Sequence, residues 1–460
     1  MTRWISPLTC LQVWEFASTD ETPQHNKKQG RVERDETRHR VLTGLARASA
    51  LAPFRIRNYR FQWPADLLTS WAFEMETLIL GWYILVETRS VLLLTLFASL
   101  SFVGTLIAPL FGVFGDRNGH RDLLAMMRAT YAALACTLMA LAMAGYLTPV
   151  YVFVIAAIMG LVRPSDLGVR GALVATIMPH EQLIGAISIS RTTMDTARIF
   201  GALSGAALFA ALGMGPAYVA IVGLYVLGTV LTLCVVAPSK PHPQDAASDV
   251  APRRSPLRDL KEGVAYVWTT PRMRAAIWIA FLANLTAYPL SNGLLPYIAR
   301  EIYGTNQTGL GYLSASFAIG SLVGSVLLSV IGGIRVARLV IGATVMWYGA
   351  LLVFAQVQTV PAAMVCLILA GFAQSLAMIS IAVILMRTAS EHFRGRVMGV
   401  RMLAIYSLPI GLLAAGSLIE EIGFAGTATL YATAGLALML VIVLHWRAEL
   451  WHLHAPANAK

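Results

Sequence analysis

The stretch Gly112-Val113-Phe114-Gly115-Asp116-Arg117-Asn118-Gly119-His120-Arg121 separates two long apolar runs, 91–114 and 122–145, and decides how the chain is read. Each run is near the ~20 residues that an α-helix needs to cross hydrocarbon. The segment between them is a short polar turn. Gly112 and Gly115 allow close helix approach. Asp116 suits the N-terminal end of a neighbouring helix, where an anion gains ~0.3–1 kcal/mol or more. Arg117 and Arg121 place the turn on the basic side of a membrane.

Apolar runs of the same length continue on both sides of this turn. Six spans are expected at 62–86, 91–114, 122–145, 149–174, 184–211 and 215–237. Six more follow at 275–299, 308–330, 338–357, 360–386, 397–419 and 424–446. The domains expected are a disordered cytoplasmic tail over 1–53, a six-helix half over 54–237, a linker over 238–274, a second half over 275–447 and a short tail over 448–460. The linker holds Pro238, Pro241, Pro243, Pro252 and Pro256 with Arg253, Arg254, Arg258 and Lys261, a composition that interrupts helix and stays in water.

Charge fixes the expected orientation. With the N-terminus cytoplasmic, the external connections near 87–90, 146–148, 212–214, 300–307, 358–359 and 420–423 hold only Arg89 and Arg300 as basic residues. The opposite set holds Arg117, Arg121, the linker cluster, Arg335, Arg338, Arg394 and Arg396. Lys and Arg favour the cytoplasmic side, so both termini are expected there. The chain also repeats internally. Pro179 to Gly213 and Ser390 to Gly423 each read as a polar corner, a glycine-rich helix and a glycine turn, with Gly205 matching Gly416. Two parallel halves place a central cavity at their interface, near the bilayer midplane.

Composition agrees with a lipid-facing surface. Of 460 residues, 57% are hydrophobic and 13% charged, against roughly 25% charged in soluble domains. The net charge is +11, but without aromatic interleaving the basic residues point to membrane loops and not to nucleic acid. Cys136, Cys234 and Cys366 fall inside separate apolar segments, with no CxxC pair. No histidine lies mid-span, so no metal or haem site is expected, and no Gly-Lys step supplies a phosphate-binding loop for ATP. No cofactor and no enzyme activity are expected.

The turn at 112–121 resembles the Gly-x-x-x-Asp-Arg-x-Gly-Arg/His-Arg loop of the major facilitator superfamily. The run Arg394-Gly395-Arg396-Val397-Met398-Gly399 is similar to the bacterial exporter branch that includes the enterobactin exporter and the transmembrane secretion effector family. The resemblance covers roughly 54–447. It implies an all-α membrane protein with twelve transmembrane helices in two parallel six-helix halves. It also implies that Asp116 pairs with the eleventh span as a conformational latch. The second half's Gly332-Gly333-Ile334-Arg335-Val336-Ala337-Arg338 is a degenerate copy that lacks the acid. Gly201-Ala202-Leu203-Ser204-Gly205 resembles the Gly-Pro-x-x-Gly-Gly element of drug antiporters without its proline, and reads equally as small-residue helix packing.

Charges inside spans cost ~2.5–3.5 kcal/mol or more at a helix centre and so mark candidate sites. The first span carries Asp66, Glu74 and Glu76, the fourth Arg163, Asp166 and Arg170, the fifth Arg191, Asp195 and Arg198. At 100° per residue, Glu74 and Glu76 point about 200° apart, so both cannot face one cavity. Either is a candidate proton-carrying carboxylate, with a structural ion pair to an embedded arginine as the alternative. Arg163–Asp166, Asp166–Arg170 and Asp195–Arg198 have helical pairing distance. Asn284, Pro289 and Asn292 break the seventh span as a gate or a kink. Trp71, Trp82, Tyr83, Tyr288, Trp347 and Tyr406 are candidate cavity aromatics. The expected function is proton-coupled efflux of small amphipathic organic molecules, drug-like compounds or siderophores, by a monomer in the bacterial inner membrane. An importer or lipid flippase of the same fold and a non-transporting membrane receptor remain the alternatives.

Overall fold

The apolar runs do fold as helices. A computed structural model describes residues 52–108, 111, 114–115, 119–236, 256–330 and 336–447. Gly112, Asp116, Arg117, most of the proline-rich linker, Arg335 and both tails lie outside the described residues. The helices are α1 (Arg57–Thr88), α2 (Val91–Leu100), α3 (His120–Met143), α4 (Pro149–Ile177), α5 (His180–Leu212) and α6 (Met214–Leu233). They continue as α7 (Pro256–Thr269), α8 (Pro271–Thr286), α9 (Gln307–Val330), α10 (Val336–Phe354), α11 (Val360–Thr388), α12 (Arg394–Leu403) and α13 (Ser407–His445). The described residues contain no strand.

Among the described residues, nine helical stretches are long and apolar enough to cross a membrane. The twelve runs of the sequence exceed that number at three places. Arg57–Thr88 has the length, 32 residues, but carries four acids, Asp66, Glu74, Glu76 and Glu87. The second run is a shorter apolar helix over Val91–Thr105. The stretch Arg394–His445 counts as one, yet turns at Gly423 (φ 74°, ψ 171°). The exposed apolar side chains fall in stripes such as Val150, Val154, Ile158 and Leu161 on α4. A helix face of that kind has its counterpart in lipid, not in water.

The linker differs from expectation. Its last part is a helix, α7, because Pro256 sits in the first turn, where its missing N–H costs nothing. Leu260, Val264 and the fully buried Val267 follow at helical spacing. The Tyr266 ring stacks on Phe393 at 4.3 Å, and Glu262 pairs with Arg396 at 3.3 Å. The Ser390 N–H donates to the Tyr266 hydroxyl at 3.3 Å. This docks α7 against the start of α12. The seventh span then begins at Pro271, four residues earlier than expected from 275, and continues past Pro289 in π-helical turns, Pro289–Gly293 and Ile298–Ile302.

The internal repeat has a backbone counterpart. Gly213 (φ 79°, ψ −176°) and Gly423 (φ 74°, ψ 171°) adopt the same glycine-favouring conformation at the same place in the two repeats. A Cβ on Gly160 would strike the Leu100 carbonyl, and one on Gly371 would strike the Phe317 carbonyl. The same close crossing is thus made by α2 with α4 and by α9 with α11.

Three close glycine contacts between the helices before and after the linker lie near one end of the bundle, and Asp195 of α5 meets Ser321 and Ser325 of α9 further along. Gly81 of α1 faces Pro296, with 3.3 Å from a built Cβ to the proline ring. Gly416 of α13 lies over Thr95 and Leu92 of α2. Gly311 of α9 lies over Ala202 and Ala206 of α5. Gly371→Ala is expected to lose about 1–3 kcal/mol from overpacking, whereas Gly349→Ala, with open space around its position, loses nothing. Thermal unfolding of the detergent-solubilised protein checks the contrast.

Candidate functional site

Charged side chains of α1, α3, α4 and α5 form three groups. The first is a closed network around Asp66, which is 4% exposed. Arg128 of α3, fully buried, pairs with the Asp66 carboxylate and donates to Thr232 of α6. Arg170 of α4 reaches Asp66 at 3.4 Å and Asp166 at 2.8 Å, and donates to Ser70 at 3.2 Å. Gln62 adds a bond to Asp66 at 2.7 Å. Two acids meet two arginines, so the group is neutral and largely hydrogen-bonded, which is how buried charge is tolerated. Arg170 is interior and does not snorkel.

The second group is Glu76, 2% exposed, which faces α6. Its carboxylate accepts from the Tyr225 hydroxyl at 2.8 Å and the Tyr218 hydroxyl at 3.5 Å. Arg163 lies within electrostatic reach of Glu76, while its guanidinium sits over the Phe73 ring.

The third group lies where α5 meets α1 and α9. Glu74 turns the other way from Glu76, as their spacing requires, and pairs with Arg198 at 3.7 Å; both side chains are partly exposed. Asp195 pairs with Arg191 at 3.5 Å, not with Arg198. It also accepts from Ser321 at 3.5 Å and Ser325 at 3.3 Å, both on α9 beyond the linker. Trp71 donates to Ser204 at 2.8 Å, and Gln374 of α11 donates to Tyr288.

Gly201 and Gly205 form the groove that seats α1. A Cβ at Gly201 would lie 2.6 Å from the Glu74 Cβ, and one at Gly205 2.9 Å from the Met75 Cα. These glycines therefore position Glu74 against Arg198. Pro289 begins a π-helical turn one residue after Tyr288. Trp82 and Trp347 are buried among helices and do not act as membrane-interface anchors; Trp347 meets Tyr288 edge-on at 5.2 Å.

In the turn at 112–121, Gly119 takes φ 101° and donates its N–H to the Gly115 carbonyl at 2.8 Å. Arg121 binds Asp122 at 2.8 Å and the Val235 carbonyl at 3.2 Å. Asp116 lies outside the described residues, so its partner is not placed. In the α12 run, Arg396 is held by Glu262, Arg394 is exposed, and Gly395 and Gly399 have open space where a Cβ would go. Among the described residues, no cluster of His, Cys, Asp or Glu could hold a metal ion.

The sequence reading passed over Arg128, Tyr218, Tyr225, Ser321, Ser325 and Gln374. Arg128 carried a signal, a basic residue two turns inside an apolar run. The tyrosines and serines carried none, because nothing in α6 or α9 alone shows which acid they face.

A family model of the Major Facilitator Superfamily matches residues 63–414 and 293–456. Macrolide efflux protein A of Streptococcus pyogenes is 23% identical over 297 residues, 62% of this chain and 72% of that protein. The multidrug efflux pump Tap of Mycolicibacterium fortuitum is 29% identical over 184 residues, 38% of this chain and 44% of that one. Among solved structures, the nucleoside transporter NupG superposes with a TM-score of 0.66 at 14% identity, covering 85% of this chain and all (100%) of that one. The POT family transporter PepTSo gives 0.66 at 12% identity, covering 87% and 99%.

Asp66→Asn is expected to destabilise by about 3–5 kcal/mol, because it leaves the Arg128 charge buried without its partner. Glu74→Gln, at a partly exposed pair, is expected to cost under about 1 kcal/mol. Unfolding midpoints of the two variants in detergent separate the cases.

Proposed function

The chain belongs to the Major Facilitator Superfamily, and from that premise we propose that it is a proton-coupled exporter of small amphipathic organic molecules. As a member it is a multi-pass membrane transporter and not an enzyme. Export is supported by the efflux proteins it resembles. The proposed setting is the bacterial cytoplasmic membrane, with a monomer of twelve passages in two six-helix halves, over 54–237 and 275–447, and both termini in the cytoplasm. On that orientation the cross-contacts at Gly81, Gly311 and Gly416 lie towards the outside, so the state described is closed externally. Alternating access then requires these contacts to open while others form at the opposite end.

The observation that carries proton coupling is the setting of Glu76. It is buried in α1 and held by two tyrosine hydroxyls. A carboxyl held by hydroxyls can take or release a proton without breaking an ion pair. Asp66 cannot, because neutralising it strands the fully buried Arg128. Asp66 and Asp166 are therefore assigned to structure, Glu76 to the proton, and Glu74 with Arg198 to the substrate side. Coupling follows if the proton and the substrate each favour one of the two transporter states.

Inverted membrane vesicles energised to an acid interior test this, with dyes, drugs and catecholates added singly. A compound that releases protons with the wild type and with Glu74→Gln, at altered affinity, but not with Glu76→Gln is the expected outcome. Proton release that survives Glu76→Gln would move the assignment elsewhere. Transport of labelled compound without any proton movement would end the proton-coupled reading.

A further inference from the structure

Arg89 and Arg300 are the basic residues of the connections expected outside, where Lys and Arg are disfavoured. The fold brings both to one cavity. It measures about 350 Å³ and is lined by Leu85 and Arg89 from the end of α1, and by Tyr297, Arg300 and Glu301 from beyond the linker. It adjoins the crossing of Gly81 with Pro296, since Leu85 stands one turn along α1 from Gly81 and Tyr297 follows Pro296. The cavity therefore bridges the two halves at the end where they touch closely.

Each arginine sits in an unusual piece of backbone. Arg89 caps α1 with φ 52° and ψ 22°, the one positive φ at a non-glycine residue among the described residues. That left-handed conformation ends many helices, but glycine normally supplies it. Arg300 lies in the π-helical turn Ile298–Ile302, a rare form found often at functional sites. Neither guanidinium is saturated. Arg89 is exposed, and its side chain has no partner among the described residues. Arg300 meets its neighbour Glu301 through Nε at 3.5 Å, while its Nη1 is buried without a hydrogen-bond partner. An unpaired buried donor on a charged group is costly, and an acceptor entering the cavity would relieve it. The Glu301 side chain is 48% exposed, and Glu87, two residues before Arg89, does not line the cavity. The lining thus sets two guanidinium groups against one carboxylate.

We propose that Arg89 and Arg300 form an external phosphate-binding site that spans the two halves and, when filled, holds the outer side closed. Guanidinium groups from two directions suit a tetrahedral oxyanion, which offers acceptors to both, and the Tyr297 side chain lines the same cavity. The ligand is a phosphate group, free in the medium or carried by a lipid of the outer leaflet. When empty, the cavity faces like charges from opposite halves and favours their parting. When filled, it ties them together. Opening the outer side divides the site, so the anion binds the closed state better and shifts the population towards it. The closing role rests on the transporter reading, whereas the binding site does not.

The first test follows unfolding midpoints of the full chain in lipid-free detergent, with inorganic phosphate or chloride at equal ionic strength. Phosphate stabilises folded proteins generally, so the contrast with variants carries the result. Arg89→Gln and Arg300→Gln are expected to raise the apparent Kd for phosphate about tenfold or more. Arg89→Lys and Arg300→Lys, which keep the charge, recover part of that loss. In nanodiscs, phosphatidylglycerol against phosphatidylcholine tests the lipid source. A response to phosphatidylglycerol alone, lost in the Gln variants, assigns the site to a lipid head group. Equal responses of wild type and both Gln variants to phosphate and to phosphatidylglycerol overturn the site.

The second test places a cysteine at Thr95, which is buried under Gly416 at another contact between the halves. Its labelling by a membrane-impermeant maleimide, read at that residue by mass spectrometry, reports opening to the outside. Phosphate is expected to slow labelling of Thr95→Cys severalfold, and to lose this effect when Arg300→Gln is added. Labelling indifferent to phosphate, with binding intact, overturns the closing role. A Thr95→Cys that never labels removes the alternation on which that role rests and leaves the binding site standing on the first test.

Discussion

The Asp66 carboxylate, set between Arg128 and Arg170, is the interaction on which the helices before the linker depend. It joins α1 to α3 and α4, and Arg128 carries the link to α6 through Thr232. A charge in hydrocarbon surroundings is tolerated only with its counter-charge and with hydrogen bonds to its remaining atoms. That requirement dictates the register of three helices at once: sliding α1, α3 or α4 by one turn would separate an acid from its arginine. It also frees the other acids of α1 from structural duty. Glu76 meets hydroxyls, and Glu74 meets a single, partly exposed arginine. One helix therefore carries a rigid charge near its start and adaptable ones further along.

Small residues govern how the two halves meet. Gly81, Gly311 and Gly416 each lie where a larger side chain would strike the opposing half. Such contacts are held by close packing and not by ion pairs, and in a bilayer packing supplies most of the attraction between helices. A surface of this kind can part without stripping charges from their partners. The Asp195 contact with Ser321 and Ser325 is similar in character, since hydroxyl groups can exchange a carboxylate for water at modest cost.

The fold was largely legible because lipid enforces long apolar runs and segregates basic residues, and both are visible one residue at a time. What escaped was the detail that depends on partners. Linker prolines read as an interruption, yet Pro256 and Pro271 stand at first-turn positions where proline is harmless, and the apolar spacing of Leu260, Val264 and Val267 marks α7. The acids of α1 were visible as costly charges, and their angular separation foretold that Glu74 and Glu76 diverge. Their assignment to tyrosines on one side and an arginine on the other was not visible, since Tyr218 and Tyr225 look like any aromatic residues of an apolar helix. Helical spacing paired Asp195 with Arg198, but the packing of α5 on α1 sends Arg198 to Glu74 and leaves Arg191 for Asp195.

The repeat that organises the fold also limits what can be placed at its centre. Equivalent glycines at Gly160 and Gly371 make equivalent crossings, and this costs nothing, because like surfaces can pack together. Equivalent charges cannot do the same. A duplicated arginine must be offset by an acid, bound by carbonyl oxygens or left partly in contact with water. Arg191 takes the first course with Asp195, and Arg401 the second with the Met378 carbonyl. The two halves thus keep the same residue at matching positions and give it different partners, because Ile405 stands four residues beyond Arg401 where Asp195 stands four beyond Arg191.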